Sequence, residues 1–304
     1  MGMGEDNPFA RLNVKQQITR NMTTPNLPNT DDITEVVRRA LVEDIGSGDI
    51  TSTLLPADSS ADATLISREN AVLCGGPWFD EVFRQLDDRI KTSWEVTDGT
   101  DIIPNQVICR ITGPAPAMLT GERTALNFLQ TLSGTATLAR TYANEVRGTK
   151  TRVLDTRKTI PGLRIAQKYA VRCGGCHNHR LGLYDGILIK ENHILAAGSL
   201  PMAVRLAREK NPGIPVEVEV ESLEECQEAL ANGADIILLD NFDVKEIEEA
   251  VRVNAGRAKL EISGGVELQA LRRLAETGVD YISIGALTKH IRAVDLSLRF
   301  AYKG

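Results

Sequence analysis

From about residue 150 onward, short apolar runs alternate with helix-length segments, and each run ends on charged or small residues. Val153-Leu154 leads into Asp155-Thr156-Arg157-Lys158-Thr159, and Ile187-Leu188-Ile189 into Lys190-Glu191-Asn192-His193. Val216-Glu217-Val218 leads into Glu219, and Ile236-Ile237-Leu238-Leu239 into Asp240. Leu260-Glu261-Ile262 leads into Ser263-Gly264-Gly265, and Tyr281-Ile282-Ser283-Ile284 into Gly285. Runs of this length and spacing predict parallel strands of successive βα units. They define an α/β-barrel-like C-terminal domain over 129–286, with about six to seven strands: six are clear, and either one or two more are hidden or the barrel is incomplete. The pattern from Leu287 to Tyr302 predicts a C-terminal helix, within 287–304, that packs back on the first domain.

Upstream the periodicity differs. Ile33, Val36, Val37, Ala40 and Leu41 form one stripe of a helix over Thr30–Leu41, ended by Gly46 and Gly48. Alternating segments follow at Ala63–Ser67, Ala71–Cys74, Thr92–Val96 and Val107–Thr112, with a helix near Trp78–Leu86 between them. Strands clustered with few crossover helices predict an α+β N-terminal domain over 29–128, with a mostly antiparallel sheet. A long helix over Leu119–Val146 leads out of it. Residues 1–28 carry no periodicity and read as a loose tail without the apolar core of a secretory signal.

With 304 residues, 42% hydrophobic and 25% charged, the composition is that of an ordinary globular protein. Five irregularly placed cysteines suggest no disulfide framework, so a reducing cytoplasm is the default. A net charge of −6 argues against a nucleic-acid partner. Residues 151–193, however, hold eight Arg and Lys against three acids, and three of the four histidines. A local positive field in an acidic body fits a small anionic ligand.

Chemistry in βα barrels sits at the C-terminal strand ends. There Arg157 can fork onto a carboxylate or phosphate, while Lys158 acts as a compact charge. Glu219 and Asp240 occupy equivalent places on successive strands, where two carboxylates can share one Mg²⁺ with substrate phosphates or bind sugar hydroxyls. The bland alternative is a salt bridge to Arg157 or Lys190. Ser263-Gly264-Gly265 and Ser283-Ile284-Gly285 close the last two strands, where small residues let backbone N–H groups approach a phosphate. Cys173-Gly174-Gly175-Cys176-His177 matches the c-type haem pattern. With no export signal and no second ligand pair, it is read as a Gly-rich turn after a helix over Gly162–Arg172. Arg164, Lys168 and Arg172 are read as a solvated stripe of that helix. Arg123 is read as the start of a helix, where its charge opposes the dipole and hints at an external anion.

These motifs together resemble the quinolinate phosphoribosyltransferase family, also called nicotinate-nucleotide pyrophosphorylase (carboxylating). The resemblance runs from about residue 31 to the C-terminus. It is carried by Glu43-Asp44, Gly48-Asp49-Ile50-Thr51, Thr120-Gly121-Glu122-Arg123-Thr124-Ala125-Leu126-Asn127, Leu132-Ser133-Gly134, Asp155-Thr156-Arg157-Lys158-Thr159 with Pro161-Gly162, Asn178-His179-Arg180, Ile189-Lys190-Glu191-Asn192-His193 and Leu239-Asp240-Asn241. Cys176-His177 departs from the small residues expected before Asn178.

The resemblance implies transfer of phosphoribosyl from phosphoribosyl pyrophosphate to quinolinate with loss of CO₂, giving nicotinate mononucleotide in de novo NAD synthesis. It implies that Arg123, Arg157, His179, Arg180 and Lys190 hold the two carboxylates of quinolinate. Thr156 and His193 join the substrate-binding set. Lys158, Glu219 and Asp240 would serve catalysis, with Mg²⁺ as cofactor on Glu219 and Asp240. Ser263, Gly264, Gly265, Ser283 and Gly285 would take the 5′-phosphate. It further implies a cytoplasmic homodimer whose Arg123 acts in the partner's site, with assemblies above the dimer left open. Two rivals remain at this stage. One is a phosphoribosyltransferase acting on nicotinate, which needs fewer cations. The other is a protein that only binds a phosphorylated ligand, a metal or haem.

Overall fold

The computed structural model describes residues 25–302; the predicted tail lies, up to residue 24, outside them. In the first domain α1 (Thr30–Ile45) is capped by the Asn29 side chain, which accepts from the Asp31 N–H. There follow β1 (Ser60–Ser67), β2 (Ala71–Val72), α2 (Gly76–Leu86), β3 (Lys91–Trp94), β4 (Asp101–Ile102), β5 (Val107–Pro114) and the long α3 (Ala115–Glu145). The barrel-like half contains β6 (Arg152–Leu154), α4 (Arg164–Cys173), β7 (Ile187–Ile189), α5 (Glu191–Ala197), α6 (Leu200–Lys210), β8 (Val216–Val220) and α7 (Leu223–Ala231). It continues with β9 (Ile236–Asp240), α8 (Val244–Asn254), β10 (Lys259–Ser263), α9 (Leu268–Glu276), β11 (Tyr281–Ser283) and α10 (Ala286–Lys289), and the chain ends in β12 (Leu296–Tyr302).

The helix expected over 287–304 is not there. Only one turn, α10, forms; the chain then runs extended as β12 and pairs antiparallel with β1, from Ala61 opposite Tyr302 to Ser67 opposite Leu296. Leu296 and Leu298 are buried, and they stand two residues apart, the spacing of a strand rather than a helix. The first-domain sheet thus has the order β12-β1-β5-β3. Its core joins Leu65, Ile108 and Ile111 to Trp78, Phe79 and Phe83 of α2 and Met118, Leu129 and Leu132 of α3.

The second half is a six-stranded parallel sheet in the order β6-β11-β10-β9-β8-β7, flanked by helices, so the barrel is incomplete. Between its two edges the chain at His177 lies parallel beside β6, with His177 N–H donating to the Val153 carbonyl at 2.8 Å and Asp155 N–H to the His177 carbonyl at 3.0 Å. Val216, Val218 and Val220, Ile237 and Leu239, and Leu260 and Ile262 belong to the cluster packed under the helices. Strand side chains alternate between faces. Glu217, Glu219, Leu238, Asp240, Glu261, Ser263 and Ser283 therefore project to the inside.

The helix α3 serves both halves: Leu132 and Ala136 belong to the first core and Ala139 and Tyr142 to the second. Ser133 ties it to the strand side, its hydroxyl accepting from Cys74 N–H at 2.9 Å and donating to the Cys74 carbonyl at 3.1 Å. At Gly134 a Cβ would overlap the Arg292 carbonyl oxygen, so the link into β12 passes directly over the glycine. Gly134→Ala is expected to lower stability by about 1–3 kcal/mol through overpacking. An unchanged urea midpoint would show that the 291–292 link yields freely.

Candidate active site

The strand-end residues are organised by Asp155, which is fully buried just beyond β6. Its Oδ1 accepts from Lys168 Nζ at 2.5 Å and from His179 N–H at 2.9 Å, and its Oδ2 accepts from Asn178 Nδ2 at 2.6 Å. Lys168 Nζ also donates to the His179 carbonyl at 3.0 Å, and Asn178 Nδ2 to the Lys168 carbonyl at 2.9 Å. Burial pushes the Asp155 carboxyl up and the Lys168 ammonium down, each opposed by the charge of the other. A buried pair of this kind persists because both ions and their remaining hydrogen bonds are satisfied together.

This overturns the solvated-stripe reading of α4. Lys168 is only 1% exposed. Arg164 braces two loops, donating from Nε to Thr159 Oγ1 at 3.1 Å and from NH1 to the Leu181 carbonyl at 3.3 Å. Arg172 donates to the Asn26 carbonyl at 2.7 Å. Gln167, also buried, accepts from Ile160 N–H at 2.7 Å and donates to the Thr288 carbonyl at 3.0 Å, while Thr288 Oγ1 donates to the Lys158 carbonyl at 2.8 Å. The loop carrying Thr156, Arg157 and Lys158 is thereby clamped from two sides. Thr156 Oγ1 accepts from Lys158 N–H at 3.1 Å, and Lys158 itself is exposed.

Several predicted site residues do converge. The Lys190 ammonium pairs with Glu219, the salt bridge that was the alternative reading. Asp240 stands in the same field: burial and then the neighbouring Glu219 push its carboxyl up, while Lys190 and Lys158 pull it down. Arg180 and Arg157 are neighbours, since burial and then the Arg157 charge lower the affinity of Arg180 for its proton. Arg157 Nε is buried without a hydrogen-bond partner among the described residues. At Gly285 a Cβ would stand 3.2 Å from Lys158 Cδ, which brings the ends of β6 and β11 together. Gly264, at φ +95°, presses on Asn241, whose side-chain oxygen a Cβ would overlap. Gly265 follows at φ +53° with open space around it.

Other residues are placed differently from expectation. Ser283 spends its hydroxyl on buried Glu261, so the side chain is committed below the strand end. His193 is exposed and its Nδ1 accepts from Lys190 N–H at 3.0 Å, which makes it a cap for α5. Arg123 lies in the third turn of α3, not at its start, because the helix begins at Ala115. The dipole no longer acts there. Arg123 is exposed and has no ion-pair partner among the described residues. The cysteines of the Gly-rich turn are both buried: Cys173 lies near Cys74 and Asp98, and Cys176 Sγ donates to the Ala139 carbonyl at 3.1 Å.

The residues that sequence reasoning missed, Glu217 and Glu261, lie one layer deeper around the predicted His179. His179 turns inward, with Nε2 2.9 Å from Glu217 Oε2 and 3.6 Å from Glu261 Oε1. Burial opposes a charge on His179, but Glu217, then Glu261, outweigh it and lift the imidazole to about 9. Burial and the nearby Glu217 push Glu261 up to about 8. The signal for both was a lone Glu inside each apolar run, pointing the same way as the residue two places on.

Two family models match the chain: the quinolinate phosphoribosyl transferase N-terminal domain over residues 49–133 and the C-terminal domain over 135–299. A Bacillus subtilis protein named probable nicotinate-nucleotide pyrophosphorylase (carboxylating) is 39% identical, across 87% of this chain and 92% of its own length. A Mycobacterium leprae nicotinate-nucleotide pyrophosphorylase (carboxylating) is 43% identical, across 88% of this chain and 97% of its own. The solved structure of the Francisella tularensis nicotinate-nucleotide pyrophosphorylase is 46% identical with a TM-score of 0.89, covering 92% of this chain and all of that one. Human nicotinic acid phosphoribosyltransferase, at 14% identity and a TM-score of 0.60, shares the fold alone.

Lys168→Met leaves Asp155 buried with its charge unpaired and is expected to cost about 3–5 kcal/mol of stability. A loss under about 1 kcal/mol in urea unfolding, the scale of an ordinary substitution, would remove the pair from its central place. The inner layer also sets a pH dependence. His179 and Glu261 bind a proton more tightly folded than unfolded, so their contribution is complete below the ordinary values of 6.5 and 4.5 and is lost as pH climbs through about 9 and about 8. The unfolding midpoint of the native protein should therefore fall from pH 5 to 9 more steeply than that of a His179→Gln, Glu261→Gln double variant; parallel curves would contradict this.

Proposed function

The chain belongs to the quinolinate phosphoribosyl transferase family, and from that membership we propose that it joins quinolinate to the phosphoribosyl group of phosphoribosyl pyrophosphate, releasing pyrophosphate and CO₂. It is a phosphoribosyltransferase of NAD biosynthesis. The observation that carries the substrate assignment is the gathering of Arg157, His179, Arg180 and Lys190 beside two carboxylates, with Arg157 Nε buried and unpartnered. So many cations suit a pyridine bearing two carboxylates better than one bearing a single carboxylate.

Glu219 and Asp240 fit Mg²⁺ by their donor chemistry. Both are hard carboxylate oxygens, and Asp240 is held up partly by the like charge of Glu219, a repulsion that a divalent cation relieves. Mg²⁺ held there would supply positive charge to the pyrophosphate oxygens. Lys158, exposed and close to Gly285, would meet the same anion. The backbone N–H groups at Gly264 and Gly265 are the proposed seat of the 5′-phosphate. Arg157, Arg180, His179 and Lys190 would orient quinolinate so that its ring nitrogen faces the ribose C1. Nitrogen attack, as the leaving group departs through an oxocarbenium-like state, makes the ring cationic. That charge stabilises the carbanion left by CO₂, so no protein base is required. A cytoplasmic location and a homodimer, with Arg123 reaching the partner's site, belong to the same proposal; no described helix is long and apolar enough to cross a membrane.

Purified protein with quinolinate, phosphoribosyl pyrophosphate and Mg²⁺ should form nicotinate mononucleotide and CO₂ in equal amounts. It should fall silent in excess chelator, and nicotinate should not replace quinolinate. Lys158→Ala and Arg157→Ala should lose roughly 10²–10³ in rate, the scale of a lost electrostatic contact to the transition state, with circular dichroism unchanged. Failure to form product from quinolinate, or full turnover without divalent metal, would reject the corresponding part.

Arg123→Ala and Lys158→Ala proteins should each be inactive and regain activity when mixed and re-equilibrated. In a two-fold dimer with random exchange, half the dimers are mixed and about a quarter of all sites are intact. Background activity after exchange is verified by mass spectrometry would place Arg123 in its own subunit or outside the site.

A further inference from the structure

The layer beneath the substrate site is a closed polar cluster inside the barrel. Glu217 and Glu261 are 4% and 1% exposed, and their carboxylate oxygens and the His179 ring nitrogen lie within 4.8 Å of one another. Each Glu keeps one buried oxygen, Glu217 Oε1 and Glu261 Oε2, without a hydrogen-bond partner among the described residues. Ser283 holds Glu261 by its Oε1 from the neighbouring strand. No described residue hydrogen-bonds His179 Nδ1, while Nε2 is committed to Glu217. The backbone of His179 is fixed independently, by Asp155 and Lys168.

We propose that Glu217 and Glu261 are positioning residues: acting through His179, they lock the ring with Nε2 donating into the barrel floor and leave Nδ1–H for a carboxylate of the substrate. The chemistry of imidazole requires it. A neutral ring carries one N–H, which Glu217 takes; only the imidazolium donates from both nitrogens. A histidine whose side chain is 13% exposed, beside the Lys168 ammonium, would otherwise favour the neutral form. The charged groups that face it divide cleanly. Glu217 from β8 and Glu261 from β10 favour the charge, Glu217 more, while Lys168 from α4 opposes it. Asp155, beyond β6, is already neutralised by Lys168. Glu217 makes the close contact, 2.9 Å against 3.6 Å, while Glu261, held by Ser283, mainly shapes and closes the floor.

The substrate half of this inference rests on quinolinate as the ligand; the imidazole half does not. The four histidines make ¹⁵N-histidine spectra simple, and the His179 signals are those that vanish in His179→Gln. In the ligand-free native protein at pH 7.5 both His179 nitrogens should be protonated. In Glu217→Gln, an isosteric change, the ring should be neutral at that pH, and Glu261→Gln should shift it less. In kinetics, Glu217→Gln should raise KM for quinolinate roughly tenfold or more, as expected for a lost charge-assisted hydrogen bond, with KM for phosphoribosyl pyrophosphate little changed. Glu217→Asp should recover part of the loss. In a His179→Gln background Glu217→Gln should add nothing.

A neutral His179 in the native protein, or an unchanged ring in Glu217→Gln, would overturn the proposal. So would a further loss in the His179→Gln background, or stoichiometric divalent metal bound to an unprotonated Nε2. If the native protein turns over no quinolinate at all, the functional reading fails, and the imidazole spectra still decide whether the floor positions the ring.

Discussion

Everything at the mouth of this barrel hangs on one buried ion pair. Asp155 has no exposure to water, and it keeps its charge only while Lys168, Asn178 and the His179 N–H are all in place. The four residues come from three pieces of chain: Asp155 from a strand end, Lys168 from a helix face, and Asn178 and His179 from the segment beside that strand. Removing any of them leaves a charge or a donor stranded in low dielectric, so the three pieces are fixed relative to one another as a unit. His179 and Arg180 follow Asn178 directly, and Arg157 and Lys158 follow Asp155. The cationic half of the site is therefore built outward from the pair.

The incomplete barrel creates the need for such a pair. A six-stranded parallel sheet whose edges do not meet leaves a slot beside β6 and β7. The chain around His177 fills that slot with a single bridge to β6, too little pairing to hold a loop by itself. Side-chain bonds from α4 supply the rest. The barrel interior follows from the same geometry: apolar residues go to the helices, and the alternate positions fill the centre with Glu217, Glu261 and Ser283 around His179.

Much of this was legible in the chain. The apolar runs and their charged ends located the strands, and the paired carboxylates at Glu219 and Asp240 followed from equal positions on neighbouring strands. What escaped was what depends on partners distant in sequence. The stretch from Leu287 to Tyr302 has a helical pattern, yet the edge of β1 offered hydrogen bonds for a full strand, and tertiary pairing won. Arg164, Lys168 and Arg172 sit four apart as a solvated stripe would, and only the fold shows Asp155 waiting beneath the middle one. Glu217 and Glu261 were passed over because a glutamate between valines or isoleucines reads as an exposed face, whereas in a barrel that face is the inside.

Two cations of the site are already paired within the protein, and this shapes how the site would receive a substrate. Lys190 is paired with Glu219 and His179 with Glu217, so neither cation waits unpaired for its ligand. The two pairings differ in depth. Lys190 is 44% exposed and Glu219 18%, so water reaches this pair, and an ion pair open to water is weak. His179 is bound on its inner edge by groups that water does not reach, so that pairing persists when a ligand arrives at the outer edge. An anion entering the site would thus compete with Glu219 for Lys190 while adding to the inner pair.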